Sequence, residues 1–194
     1  MKTIYLLSAV IFINMAFAQK ENLQKAGLYL TSSDFVNQKL TYAIDCINSE
    51  DKIKINELFG ASHGYIVYRG EKHSFDRNQI FGYRSCNHKN YRFFKNEIYQ
   101  ILDTLDFYIY YQYKMEEVTK GKGLVKTDEY FFSRNGKDEI KPLNSDNLKM
   151  AFPANARFHY ALDADFRSDK DLIAYDSFQK IYKIKYLYNE SLNR

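Results

Sequence analysis

The sequence predicts an α+β protein, with an antiparallel β-meander or partly open barrel followed by three C-terminal helices. Three observations predict it. Between about Gly27 and Pro142, short apolar runs alternate with polar residues at a period of two. Tight-turn dipeptides such as Gly70-Glu71, Lys95-Asn96 and Asn135-Gly136 separate those runs. From Asn144 onward the apolar spacing lengthens to about 3.6, the helical period.

Composition bounds the reading. The chain has 194 residues, 45% hydrophobic and 17% aromatic, with 8 Gly, 2 Pro and 2 Cys. That aromatic content excludes general disorder, and the low Gly, Pro and Cys counts exclude collagen-like and disulfide-dense classes. A formal net charge of +4 is too small to argue for nucleic acid, and no nucleic-acid partner is expected.

Residues 1–18 read as a cleaved signal peptide. Lys2 supplies a positive charge, Ile4 to Phe17 are nearly all apolar, and Ala16-Phe17-Ala18 fits a small-x-small cleavage site before Gln19. The run is too short for a membrane span, which takes about 20 apolar residues. The mature chain, 19–194, is expected to lie in the periplasm or at the cell surface, with no transmembrane segment.

The strands follow in order. Lys39–Ile47 and Lys52–Phe59 are expected first, the latter with Ile53, Ile55 and Leu58 inward and Lys52, Lys54 and Asn56 outward. Tyr65–Tyr68, Lys72–Phe75, Ile80–Tyr83, Tyr91–Phe94 and Glu97–Leu102 come next. Phe107–Lys114 is the longest aromatic run. Thr119–Gly123 reads as a flexible basic tip, and Leu124–Ser133 and Glu139–Leu143 complete the β-rich part, residues 27–142.

The helical part is 144–192. Ser145 caps a helix that Pro153 ends. Asn155–Phe166 places Phe158, Leu162 and Phe166 on one face. Ser168-Asp169-Lys170-Asp171 is a capping box expected to open the last and longest helix, with apolar stripe Phe178, Ile181, Tyr188 and Leu192. Asp169, Asp171 and Asp176 would lie early in it and Lys180, Lys183 and Lys185 late, as a helix dipole favours. No linker separates the two parts, so one domain is expected.

Two segments carry a resemblance. Ile80-Phe81-Gly82-Tyr83-Arg84, with Tyr91 through Tyr99, resembles a strand–turn–strand pattern of an uncharacterised family of exported envelope proteins. Pro142-Leu143 through Tyr175-Asp176 is similar to the C-terminal part of such proteins. The resemblance implies an exported single domain and implies no catalytic residue or ligand.

Export favours a disulfide between Cys46 and Cys86. Two buried thiols are one alternative. A metal site using Cys86 and His88 is another, although His63 and His73 are not spaced to complete it. No metal or other cofactor is expected.

No nucleophile elbow, phosphate loop, zincin helix or calcium loop is present. His159 and Asp163 share a helical face and are the weak catalytic candidates, since a carboxylate can orient an imidazole for base chemistry. On the aromatic run, Phe107, Ile109, Tyr111 and Tyr113 share one face, and Tyr108 and Tyr110 share the other. Tyr108 and Tyr110 are the candidate binding pair, on the expectation that their face is open.

The leading expectation is a non-enzymatic binding or scaffolding module of the cell envelope, its partner an envelope protein or a glycan. The alternatives are a small envelope hydrolase or modifying enzyme using His159 and nearby acids, and a structural or inhibitor-type protein.

Overall fold

A computed structural model of the chain describes residues 25–47, 50–55, 62–117 and 123–193. The signal peptide, Leu58 and most of the Thr119–Gly123 tip lie outside the described residues. The chain divides into two compact units, Met1–Tyr99 and Gln100–Arg194, with the division inside one strand. The fold class is α+β, with antiparallel ladders that do not close into a barrel. No helix among the described residues is long and apolar enough to cross a membrane.

The first unit holds β1 (Lys25–Tyr29), α1 (Ser32–Val36), β2 (Thr41–Asp45), β3 (Lys52–Ile55), β4 (His63–Tyr68), β5 (Glu71–Asp76), β6 (Gly82–Arg84), β7 (Asn90–Phe94) and the start of β8 (Glu97–Asp103). The hydrogen-bonded orders are β7-β6-β1-β2 and β3-β4-β5. Ala26, Leu28, Ile44, Tyr83 and Phe93 from the first ladder and Ile66 from the second form one core, joined by Ile53, Ile55 and Phe75. The inward set Ile53 and Ile55 is as their alternation predicts.

Local chemistry fixes these elements. Thr31 caps α1, its hydroxyl accepting from Asp34 N at 3.0 Å while the Asp34 carboxylate accepts from Thr31 N. Phe35 then stacks on Phe81 with ring centroids 5.1 Å apart. Lys95 and Asn96 both take positive φ, as a two-residue type I′ hairpin requires, whereas Asn135-Gly136, where the sequence suggests that turn, lies in a run of bends with neither residue at positive φ. The preceding hairpin turns at Arg69-Gly70, φ 54° and 80°, one residue earlier than expected. Gly82 is required by crowding, because a Cβ there would sit 1.9 Å from the Tyr91 carbonyl oxygen.

Cys46 and Cys86 are disulfide-bonded, with Cα atoms 5.6 Å apart. They follow β2 and β6, which are not neighbours, since each pairs with β1 instead. The bridge therefore clasps the two flanking strands at the N-terminal end of β1, rather than joining adjacent strands.

The second unit holds the rest of β8, then β9 (Tyr108–Glu117), β10 (Leu124–Ser133), β11 (Lys141–Pro142), α2 (Ser145–Ala151), α3 (Ala156–Asp165), a 3-10 turn (Asp169–Ile173), β12 (Tyr175–Asp176), β13 (Ile181–Tyr182) and α4 (Lys183–Leu192). The main ladder runs β8-β9-β10-β11. Its inner face contributes Phe107, Ile109 and Phe132, covered by Leu148, Phe158, Leu162 and Ile184 from the three helices. Asn144, not Ser145, caps α2, accepting from Asn147 N at 2.7 Å. Asn155 caps α3 in the same way.

The last helix departs from expectation. The Ser168–Asp171 capping box forms but opens only the 3-10 turn. Asp176 then accepts from the backbone N–H groups of Phe178 and Gln179, which holds a turn between β12 and β13. The helix starts only at Lys183, so Phe178 is 93% exposed rather than part of a stripe. Lys183 and Lys185 fall in its first turn, the end a helix dipole disfavours for cations. Lys185 is nonetheless fully buried. Its ammonium binds the Asp103 carboxylate and donates to the carbonyls of Leu105 and Phe107 at 2.5 and 2.6 Å.

The disulfide gives a direct test of the first unit. It closes a separation of 40 residues, which stabilises by about 4 kcal/mol in the chain-entropy model. Replacing both cysteines with Ala is expected to lower unfolding stability by about that amount in urea titrations. Addition of reductant to the parent chain should reproduce the loss.

Candidate functional site

The aromatic run is where sequence and structure differ most. Tyr108 is 8% exposed and Tyr110 0%. The Tyr110 hydroxyl shares a hydrogen bond with Ser133 Oγ at 2.9 Å, and Ser133 donates to the Asn135 carbonyl. Phe107 and Ile109 on the opposite face are also fully buried. Both faces of this half of β9 are therefore core, and Tyr108 and Tyr110 are not an open binding pair.

Exposure changes along the strand instead of across it. Tyr113 is 47% exposed, Met115 54% and Leu124 60%, and Val125 and Lys126 are also exposed. The register of β9 with β10 puts Tyr111 opposite Tyr130, Tyr113 opposite Asp128 and Met115 opposite Lys126. One face of the outer ribbon thus carries Tyr111, Tyr113, Met115, Leu124, Lys126 and Asp128. Lys126 leans over the Tyr113 ring at 4.7 Å, and the Tyr111 hydroxyl donates to Asp128 at 2.7 Å. That bond holds the Tyr111 phenol above its ordinary pKa, and the Tyr111 hydroxyl in turn raises Lys126.

The outer edge of β10 is covered only at its base. β11 pairs with Phe131 and Phe132, and Leu143 N donates to the Tyr130 carbonyl at 2.9 Å. Pro142 falls opposite Phe131, at a position where its missing N–H costs no ladder bond. Antiparallel alternation then aims the backbone groups of Leu124, Lys126 and Asp128 the same way as those of Tyr130. Among the described residues no strand pairs with that stretch of the edge.

The weak catalytic pair does not assemble. His159 Nε2 lies 3.0 Å from the Phe152 carbonyl, which can only accept, so this nitrogen carries the proton. Asp163 binds Lys149 Nζ at 2.5 Å. Asp165, two residues on, pairs with Lys183 at 3.0 Å. Each group is tied to a different partner, and no imidazole–carboxylate dyad forms. Cys86 is committed to its disulfide and is not a metal ligand. Among the described residues no cluster of His, Cys, Asp and Glu could hold a metal ion.

Strand alternation separates the two faces of the run but not its two halves, so it does not single out the exposed ribbon. A usable signal was present: Phe107–Tyr111 is unbroken by charge, whereas Lys114, Glu116, Glu117, Lys126 and Asp128 crowd the far half. The burial gradient makes a checkable statement. Tyr110→Ala should cost about 3–5 kcal/mol in denaturant titration, and Tyr113→Ala should stay within about 0.5 kcal/mol of the parent. The chain matches no family model, no curated protein and no solved structure.

Proposed function

We propose that the protein is an exported, non-enzymatic binding module of the cell envelope that captures an extended peptide segment along the outer edge of β10. One observation carries the reading. The edge from Leu124 to Asp128 extends past β11 beside the exposed apolar side chains Tyr113, Met115 and Leu124. A strand edge in that state presents main-chain donors and acceptors for strand addition, and its neighbouring side chains select alternate residues of the incoming peptide. The Cys46–Cys86 disulfide supports placement in an oxidising compartment outside the cytoplasm.

The test uses a library of unstructured peptides panned against the chain from Gln19 onward. Bound peptides are expected to slow amide exchange at Leu124, Lys126 and Asp128. Lys126→Pro removes an outward-facing N–H without touching the ladder to β9, so it should abolish binding and leave the melting transition nearly unchanged. Peptide binding that survives Lys126→Pro, or a library that yields no binder, would overturn the reading.

A further inference from the structure

The three-stranded sheet of the first unit has a second face that the core does not use. The register pairs Lys52 with Val67 and Val67 with Lys72, and pairs Lys54 with Tyr65 and Tyr65 with Ser74. These residues share one face, opposite to Ile53, Ile55, Ile66 and Phe75. Lys52, Lys54 and Lys72 are all exposed, and Tyr65 and Val67 are half-buried between them. The Lys72 ammonium rests 4.1 Å from the Tyr65 ring centroid.

The charge on this face is mainly basic, three lysines against the single carboxylate of Asp76 among the described strand residues. Among the described residues no carboxylate forms an ion pair with any of these three lysines. Glu71 lies on the other alternation, where its carboxylate is 3.8 Å from His73. Asp76 falls on the lysine face, at its far end opposite His63, and accepts from Asn78 N at 2.8 Å. Asp51, beside Lys52, accepts from Arg69 N at 2.7 Å.

Geometry narrows the occupant. Side chains stand roughly perpendicular to a sheet, so the three ammonium groups spread over a plane. Lys52 and Lys54 are about 7 Å apart along β3, and Lys72 is two strands away, roughly 10 Å. Charges arranged this way, with an aromatic ring and an aliphatic side chain between them, match a planar layer of anionic headgroups. Tyr at the interface and long basic side chains at its rim are the usual residues of such contacts.

We propose that this face docks the protein on an anionic lipid surface. This face shares no residue with the β10 edge, so either function can fail without the other. The experiment is co-sedimentation of the chain from Gln19 onward with phosphatidylglycerol–phosphatidylcholine vesicles and with pure phosphatidylcholine vesicles. Binding is expected only to the anionic vesicles and should fall steeply with salt. Lys52→Gln/Lys54→Gln/Lys72→Gln should weaken it on the order of a hundredfold, at about fivefold for each basic residue. The same substitutions at Lys137, Lys141 and Lys170 should leave it within twofold or so of the parent. Circular dichroism of both variants checks that the fold is retained. Equal binding by the two variants, no sedimentation with anionic vesicles, or binding to soluble heparin without binding to vesicles would overturn the proposal.

Discussion

The second unit depends on one buried cation. The Lys185 ammonium, on the first turn of α4, is enclosed by the Asp103 carboxylate at the end of β8 and by the carbonyls of Leu105 and Phe107. The Phe107 ring lies 5.0 Å away. Removing an ammonium from water costs several kcal/mol, and only a full set of partners offsets that. Here the partners come from the β8–β9 connection, so the charge requirement ties that connection to the helix. Burial lowers the Lys185 pKa from its ordinary value, and the Asp103 carboxylate works against that shift. The same contact sets Ile184 into the core beside Phe107 and Phe158.

From that anchor the burial of β9 and β10 follows. Near the anchored end, helices cover one face, while Tyr108 and Tyr110 are buried on the other. Farther out Tyr113, Met115, Leu124, Val125 and Lys126 are exposed, and the ladder continues as a ribbon whose side chains meet water. Two strands alone are marginally stable in water. The ribbon therefore relies on its cross-strand contacts, among them the Lys114–Glu129 pair at 2.7 Å and the Tyr111–Tyr130 rings at 5.7 Å. This combination of rigid base and open edge is what recommends β10 as a capture site.

Much of the fold was legible because local rules agree with the tertiary outcome. Alternation placed Ile53 and Ile55 inward, the Lys95-Asn96 turn closed as its residues suggest, and Phe158, Leu162 and Phe166 share one buried face. Misreadings arose where two local rules compete. Ser168 and Asp171 do form a capping box, yet Asp176 favours a turn a few residues later, and the turn interrupts the helix. The sequence places Lys185 late in the last helix, where the dipole favours a cation, and not in its first turn. Nothing near it in sequence reveals that its partners lie about 80 residues earlier. The expected open pair Tyr108 and Tyr110 failed for a related reason: a period-two pattern separates faces, but tertiary packing decides how far along a strand burial extends. Neither β1 nor α1 is expected from the sequence, since Lys25–Tyr29 and Ser32–Val36 are too short to show a period.

The charge of Lys185, and not only its bulk, holds the β8–β9 connection. Urea unfolding of Lys185→Met, combined with amide exchange across Leu105–Tyr108, tests it most directly. Methionine keeps the chain's volume but leaves Asp103 and two carbonyls without their cation. A loss of about 3–5 kcal/mol is expected, with faster exchange confined to the connection. A Lys185→Met chain as stable as the parent, with exchange there unchanged, would contradict it.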